Sequence, residues 1–261
     1  MAAPTFVGAG TAAYGSSDSW PSSLLIGSGN VPAGVTTVDR LILFISVYYA
    51  QDRFPVVDDT LGSFGGLDGW TAIPKAQYQV TGTGSNVFWQ LWAYTIRYVD
   101  ATFPLTIVPT GTTSGTAYVP SQRALDDNYR AQLFAWTPSH VADDFADGNA
   151  TTGGGILPAS AFSVTLTNTD GLVIAAGAMP KAGALGTFSN ARSFTERYHQ
   201  AAIAARGGSL KVADYAPGAA ATYSSPQWNK DTGTGLGGAS LLIALNDPDS
   251  FDQWGMNVVR W

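Results

Sequence analysis

The sequence predicts an all-β protein, a jelly-roll-like β-sandwich built from two related halves. Three observations carry this reading. Short apolar runs bounded by Gly, Pro, Asn and Asp recur along the chain, the pattern of strands joined by turns. Helix formers are scarce: Glu196 is the only Glu, and Lys occurs only at 75, 181, 211 and 230, while 30 Gly and 14 Pro are spread over 261 residues. The runs also occur twice in one order, from Ser23-Leu24-Leu25-Ile26 to Ala131–Trp136, and from Phe162–Leu166 to Ser240–Leu245.

In the first half, residues 1–136, a strand near Ser23–Gly27 precedes the turn Val31-Pro32-Ala33-Gly34. Arg40–Tyr49 is apolar at both alternating sets of positions, as in a central strand covered on two sides. Gly69–Ile73 reads as a short edge element and Asn86–Tyr98 as a long aromatic strand. Phe103–Val108 is expected to close a hairpin with it. Tyr118–Asp127 has room for one helical turn, and Arg130–Trp136 ends the half.

Residues 137–161, rich in Asp, Gly and Ala, read as a linker. The second half, residues 162–245, repeats the order with smaller side chains. Phe162–Thr167 and the turn Asn168-Thr169-Asp170-Gly171 lead into Leu172–Ala178, the counterpart of the central strand. Ser193–Arg197 answers Gly69–Ile73. Gly208–Tyr215 with Ala221–Ser225 answers the long hairpin. Identity between the halves is low, so element order is the argument, and any sandwich spaces its strands regularly. The halves could be separate sandwiches or each supply one sheet to a single core; the expectation is one composite body in which the halves pack together.

Composition excludes several function classes. The net charge of −6 opposes nucleic-acid binding and anionic membrane surfaces. No apolar run approaches the roughly 20 residues of a spanning helix. With no cysteine, neither a disulfide framework nor a Cys-based zinc site exists. The opening Met1-Ala2-Ala3-Pro4-Thr5 lacks the basic and apolar regions of a secretion signal.

Catalytic constellations are equally thin. Glycan hydrolysis needs two carboxyl groups flanking the bond. With Glu196 the only Glu, at least one must be Asp. The Asp residues sit beside turn formers, as in Asp58-Asp59, Asp126-Asp127, Asp143-Asp144 and Asp247-Pro248-Asp249. Asp143–Asn149 and Asn246–Asp252 come nearest to a calcium loop but lack its closing bidentate Glu. The two histidines, His140 and His199, fall in different segments, and no Gly-x-Ser-x-Gly elbow occurs. The expectation is no catalytic residue, no metal site and no cofactor.

The aromatics are more informative. Along Asn86–Tyr98 one face carries Phe88, Gln90, Trp92, Tyr94, Ile96 and Tyr98, the other Val87, Trp89, Leu91, Ala93, Thr95 and Arg97. One face is core. Trp89 and Leu91 on the other form either a docking patch or a surface covered by the second half. Trp228, beside Asn229-Lys230-Asp231, is a candidate for stacking a sugar ring from a loop. The C-terminal segment, residues 246–261, carries Phe251, Trp254, Met256, Val258, Val259 and Trp261. Such a segment folds back or pairs along a neighbour's sheet edge.

The string Asp39–Val47, the following Gly69-Trp70-Thr71, the early Pro32-Ala33-Gly34 turn, and then Leu172–Ala176 and Phe194-Thr195-Glu196-Arg197 carry a resemblance. The chain to about Leu245 resembles the β-sandwich minor tail and virion structural proteins of actinobacterial tailed phages. Phe194 stands where that pattern usually has Trp. The resemblance implies a non-enzymatic virion component, assembled in the bacterial cytoplasm, whose partners are other virion proteins and copies of itself. A capsid decoration or head-fibre protein would share these features. A carbohydrate-binding host-receptor module is the alternative of a different class, with a host surface glycan as partner.

Overall fold

The structure is a computed structural model. It describes residues 3–16, 24–51, 63–73, 78–81, 86–110, 128–138, 145–153, 156–157, 163–178, 184–188, 194–200, 210–226, 228–231 and 238–246. In the first half the strands are β1 (Thr5–Ala9), β2 (Ala13–Ser16), β3 (Leu24–Ile26), β4 (Arg40–Gln51), β5 (Ser63–Gly65), β6 (Thr71–Ala72), β7 (Tyr78–Thr81), β8 (Asn86–Arg97), β9 (Leu105–Thr110) and β10 (Asn128–Thr137). In the second they are β11 (Phe145–Gly153), β12 (Ile156–Leu157), β13 (Ser163–Leu166), β14 (Leu172–Ala178), β15 (Ala184–Phe188), β16 (Thr195–Gln200), β17 (Leu210–Tyr215), β18 (Ala221–Ser224), β19 (Trp228–Asp231) and β20 (Gly238–Asn246). The all-β class is as the sequence predicts; the only helical pieces among the described residues are 3-10 turns at Ser28–Asn30 and Tyr98–Asp100.

The connectivity is that of a jelly roll in the first half. The large sheet runs β1-β10-β4-β8-β6, with β2 also on β10 and β7 also on β8; the small sheet runs β3-β9-β5. Treating β1 with β2 and β6 with β7 as single positions, the large sheet has order one-eight-three-six-five and the small one two-seven-four. This is the jelly-roll order, with position five moved onto the edge of the large sheet. The second half repeats it: β11-β20-β14-β17-β16 is again one-eight-three-six-five, and β13-β18 is two-seven. Here β15 pairs with β19, which also carries β12.

The sheets stack in four layers. Leu24, Ile26, Leu105 and Ile107 of the small sheet pack on Leu41, Leu43, Ile45, Trp92, Tyr94 and Ile96. On the other side of the same sheet, Ile42, Phe44, Leu91, Ala93, Phe134 and Trp136 meet Leu172, Ile174, Leu210, Val212, Leu241 and Ile243 of the second half. A third cluster joins Val173, Ala175, Leu242 and Ala244 to Val164, Leu166 and Tyr223. Each half therefore has a core of its own, and the seam between the halves is a further core. That corrects the expectation of a single composite core: two complete sandwiches stand back to back, joined through the seam.

The seam has an approximate twofold. Trp136, opposite Arg40 at the start of β4, meets Asp214, which is opposite Ile174 near the start of β14. Arg130, opposite Ser46, meets Gln200 and so the end of β14. So β4 and β14 run in the same direction. β1 lies against β16, and β7 against β11. One large sheet thus faces the other with its order reversed, as rotation about an axis along the strands requires.

Two expectations are corrected. Phe103–Val108 does not form a hairpin with the aromatic strand: β9 pairs with β3 and β5, and β18 pairs with β13 instead of β17. The 3-10 turn after β8 lifts the chain into the outer layer. The stretch 137–161, read as a linker, contains β11 and β12, and β11 forms an unbroken ladder with β20. Main-chain pairing at a sheet edge does not require an apolar sequence, so composition hid it. The helical turn expected within Tyr118–Asp127 lies outside the described residues.

Local devices set the entry to β4. Gly34 adopts φ +83°, which closes the Pro32-Ala33-Gly34 turn at little steric cost. Asp39, 1% exposed, accepts from the Thr36 N–H at 2.6 Å and from Thr137 Oγ1 at 2.7 Å. That carboxylate ties the start of β4 to the end of β10. Thr137→Val keeps the shape and removes one hydrogen bond to a charged acceptor. It is expected to cost about 1.5 kcal/mol, read as a lower urea midpoint with an unchanged slope.

Candidate interaction surfaces

From Leu91 to Ile96 the long aromatic strand is covered on both faces. Trp92, Tyr94 and Ile96 point into the first-half core, and Leu91 and Ala93 into the seam. Leu91, 0% exposed, is therefore corrected from a partner contact to a seam residue. The second half covers it because two apolar sheet faces bury each other. Trp89 stands opposite Tyr48 and Val80 in register. Trp228 belongs to strand β19, opposite Leu157 and Phe188, and not to a loop. Phe251, Trp254, Met256, Val258, Val259 and Trp261 lie outside the described residues.

Polar contacts between the halves gather on the side where β1 and β2 meet β16. Arg130 is 1% exposed. Its Nη2 donates to Gln132 Oε1, to the Tyr198 hydroxyl at 2.7 Å and to Gln200 Oε1 at 2.8 Å. The guanidinium lies 5.7 Å from the Tyr14 ring centroid and 5.4 Å from that of Tyr198. The Tyr14 and Tyr198 hydroxyls also donate to Gln200 Oε1, at 3.0 and 2.6 Å. Gln132 Nε2 donates to the Gly10 carbonyl. Arg130 Nε and Nη1 find no hydrogen-bond partner, and no ion pair to Arg130 forms among the described residues. Two aromatic faces and amide oxygens do the work of a counter-ion there.

Further along the seam, Asp214, 2% exposed, accepts from Trp136 Nε1 at 3.0 Å and Arg197 Nε at 2.8 Å. Arg197 also lies over the Phe6 ring at 5.6 Å. On the other face of β17, Lys211 Nζ sits 2.7 Å from Glu196. These groups neutralise or hydrogen-bond one another across strands. None is presented to an open cleft as a nucleophile beside a base.

Of the residues weighed for chemistry, Glu196 is in that ion pair, and His199 is exposed on β16. Asp147 lies in β11. His140, Asp143 and Asp144 lie outside the described residues. Among the described residues, no three His, Cys, Asp or Glu side chains come together as a metal group. No helix among them is long and apolar enough to cross a membrane.

The seam polar groups escaped the sequence reading, although a signal was present. In Arg130–Trp136, Arg130 and Gln132 share the alternating face of Phe134 and Trp136. Polar residues on a buried face need buried partners: Arg130 finds Tyr198 and Gln200 on β16, and Gln132 the Gly10 carbonyl. No family model matches the chain, and no curated protein or solved structure matches it.

Proposed function

We propose that the chain is a non-enzymatic structural component of a bacteriophage virion, a minor tail protein of the tail or its tip. One observation carries most weight beside the sequence resemblance. The facing sides of the two large sheets are buried in the seam, and their outer sides are packed under the small sheets. Such a stack is stiff, because its layers cannot slide without opening a core. It leaves strand edges for contact with neighbours, and the 246–261 sequence carries the apolar residues such a contact would use. A glycan receptor would instead need an open concave site lined by aromatic side chains.

The test is location. Antibody raised against the purified chain is applied to intact particles of the phage that encodes it, followed by gold labelling and electron microscopy. Label on the tail or tip is the expected result. Label confined to the head would transfer the protein to the decoration or head-fibre class. Absence from purified particles, by labelling and by mass spectrometry of their proteins, would overturn the virion assignment.

A further inference from the structure

We infer that the outer edge of β11 is a self-association surface, and that its partner is β11 of a second copy. The inference starts from how the four edges of the two large sheets are finished. A free edge offers unpaired N–H and C=O groups, and natural sheets blunt such edges with charge, bulges, Pro or short strands. β16 carries Glu196, Arg197 and His199 and is bulged between Glu196 and Tyr198. β1 is bulged between Phe6 and Gly8, and the ladder continues as the separate short β2. The third edge is split into β6, two residues long, and β7, four residues long.

β11 has neither bulge nor Pro, is nine residues long and carries a single charge. Its nine residues, Phe-Ala-Asp-Gly-Asn-Ala-Thr-Thr-Gly, pair with β20 without a register shift, from Phe145 opposite Asn246 to Gly153 opposite Gly238. The strand holds no Lys, Arg or Pro and one charge, Asp147. Among the described residues, no strand pairs with its other edge.

The sequence of β11 also suits pairing with itself. An isologous contact needs one patch that complements its own rotated copy. In an antiparallel register centred on Asn149, Asn149 meets Asn149, Asp147 meets Thr151, and Phe145 meets Gly153. No like charges oppose each other, and the acid faces a hydroxyl. Two five-stranded sheets would then become one ten-stranded sheet across the copies. Asp147, Asn149 and Thr151 pair with Ala244, Leu242 and Ser240. Leu242 and Ala244 face away from the seam, so these three positions lie on the sheet face opposite it. Changes there leave the seam alone.

This inference stands on the edge and not on where in a particle the protein sits. A monomeric protein would overturn it without touching the labelling result. The experiment is sedimentation velocity on the full chain over a concentration series. The unaltered chain is expected to dimerise. Thr151→Asp sets acids opposite each other twice. Asp147→Lys combined with Thr151→Lys does the same with lysines. Each variant is expected to weaken dimerisation by about tenfold or more, with unchanged far-ultraviolet circular dichroism. Mixing the two variants sets lysine opposite acid and is expected to restore the dimer. A monomeric unaltered chain would overturn the inference. So would a dimer that persists in both variants, since another surface, such as the C-terminal segment, would then hold it. Failure of the mixture to recover would do the same.

Discussion

Trp136→Ala is expected to lower the free energy of unfolding by about 4 kcal/mol. Trp136 is the largest fully buried side chain among the described residues, and it lies in the seam. Its ring packs at 5.3 Å on Phe6 and 6.2 Å on Phe134, and its Nε1 donates to Asp214 across the two halves. Truncation opens a cavity between sheets that cannot collapse independently, because each is held by its own outer layer. Trp136→Phe retains most of the ring contact and loses the N–H donor, so it is expected to cost about 1–2 kcal/mol. Guanidinium unfolding of the three proteins checks both numbers. A loss below about 1 kcal/mol for the alanine variant would mean that the halves are not packed through this face.

The architecture was legible in the sequence wherever alternation determines burial. Arg40–Tyr49 and Leu172–Ala178 are apolar at both phases, and β4 and β14 are buried on both faces. Pairing partners were less legible. β8 and β9 are adjacent in sequence and both apolar in pattern, which suggests a hairpin. Leu105 and Ile107 are buried while Thr106 is exposed, which fits a strand closing an outer layer equally well. Alternation gives which face is buried, but not which strand lies alongside. β11 escaped because its identity rests on a main-chain ladder and not on side-chain pattern.

The contact surfaces were legible in part for the same reason. Leu91 is apolar on a strand whose other face is core, and sequence cannot say whether a partner or the chain's own second half covers that side. Arg130, Asp214 and Lys211 illustrate the converse. Each is a charged residue inside a strand, and each is buried. Arg130 meets Tyr198 and Asp214 meets Trp136 on strands far away in sequence, which no local window contains, while Lys211 pairs with Glu196 on the preceding strand.

Arg197→Met and Asp214→Asn separate the two ends of one ion pair, and the more exposed end is expected to matter more. The Asp214 side chain is 3% exposed and the Arg197 side chain 35%. Removing Arg197 leaves a buried carboxylate with Trp136 Nε1 as its remaining side-chain donor among the described residues. A fully buried orphaned charge costs about 3–5 kcal/mol. Water reaches the Arg197 side of this pair, so the expected loss is nearer 2 kcal/mol. Asp214→Asn removes the charge itself, and its amide oxygen can still accept from Trp136. Its expected cost is about 1 kcal/mol or less. The double variant should then be no less stable than Arg197→Met alone, because no buried charge remains to be compensated, and the cycle should show coupling of about 1–2 kcal/mol. Denaturant unfolding of the four proteins reads this order directly. Equal losses in the two single variants, with strict additivity, would show that Asp214 is solvated and that the seam admits water at this point.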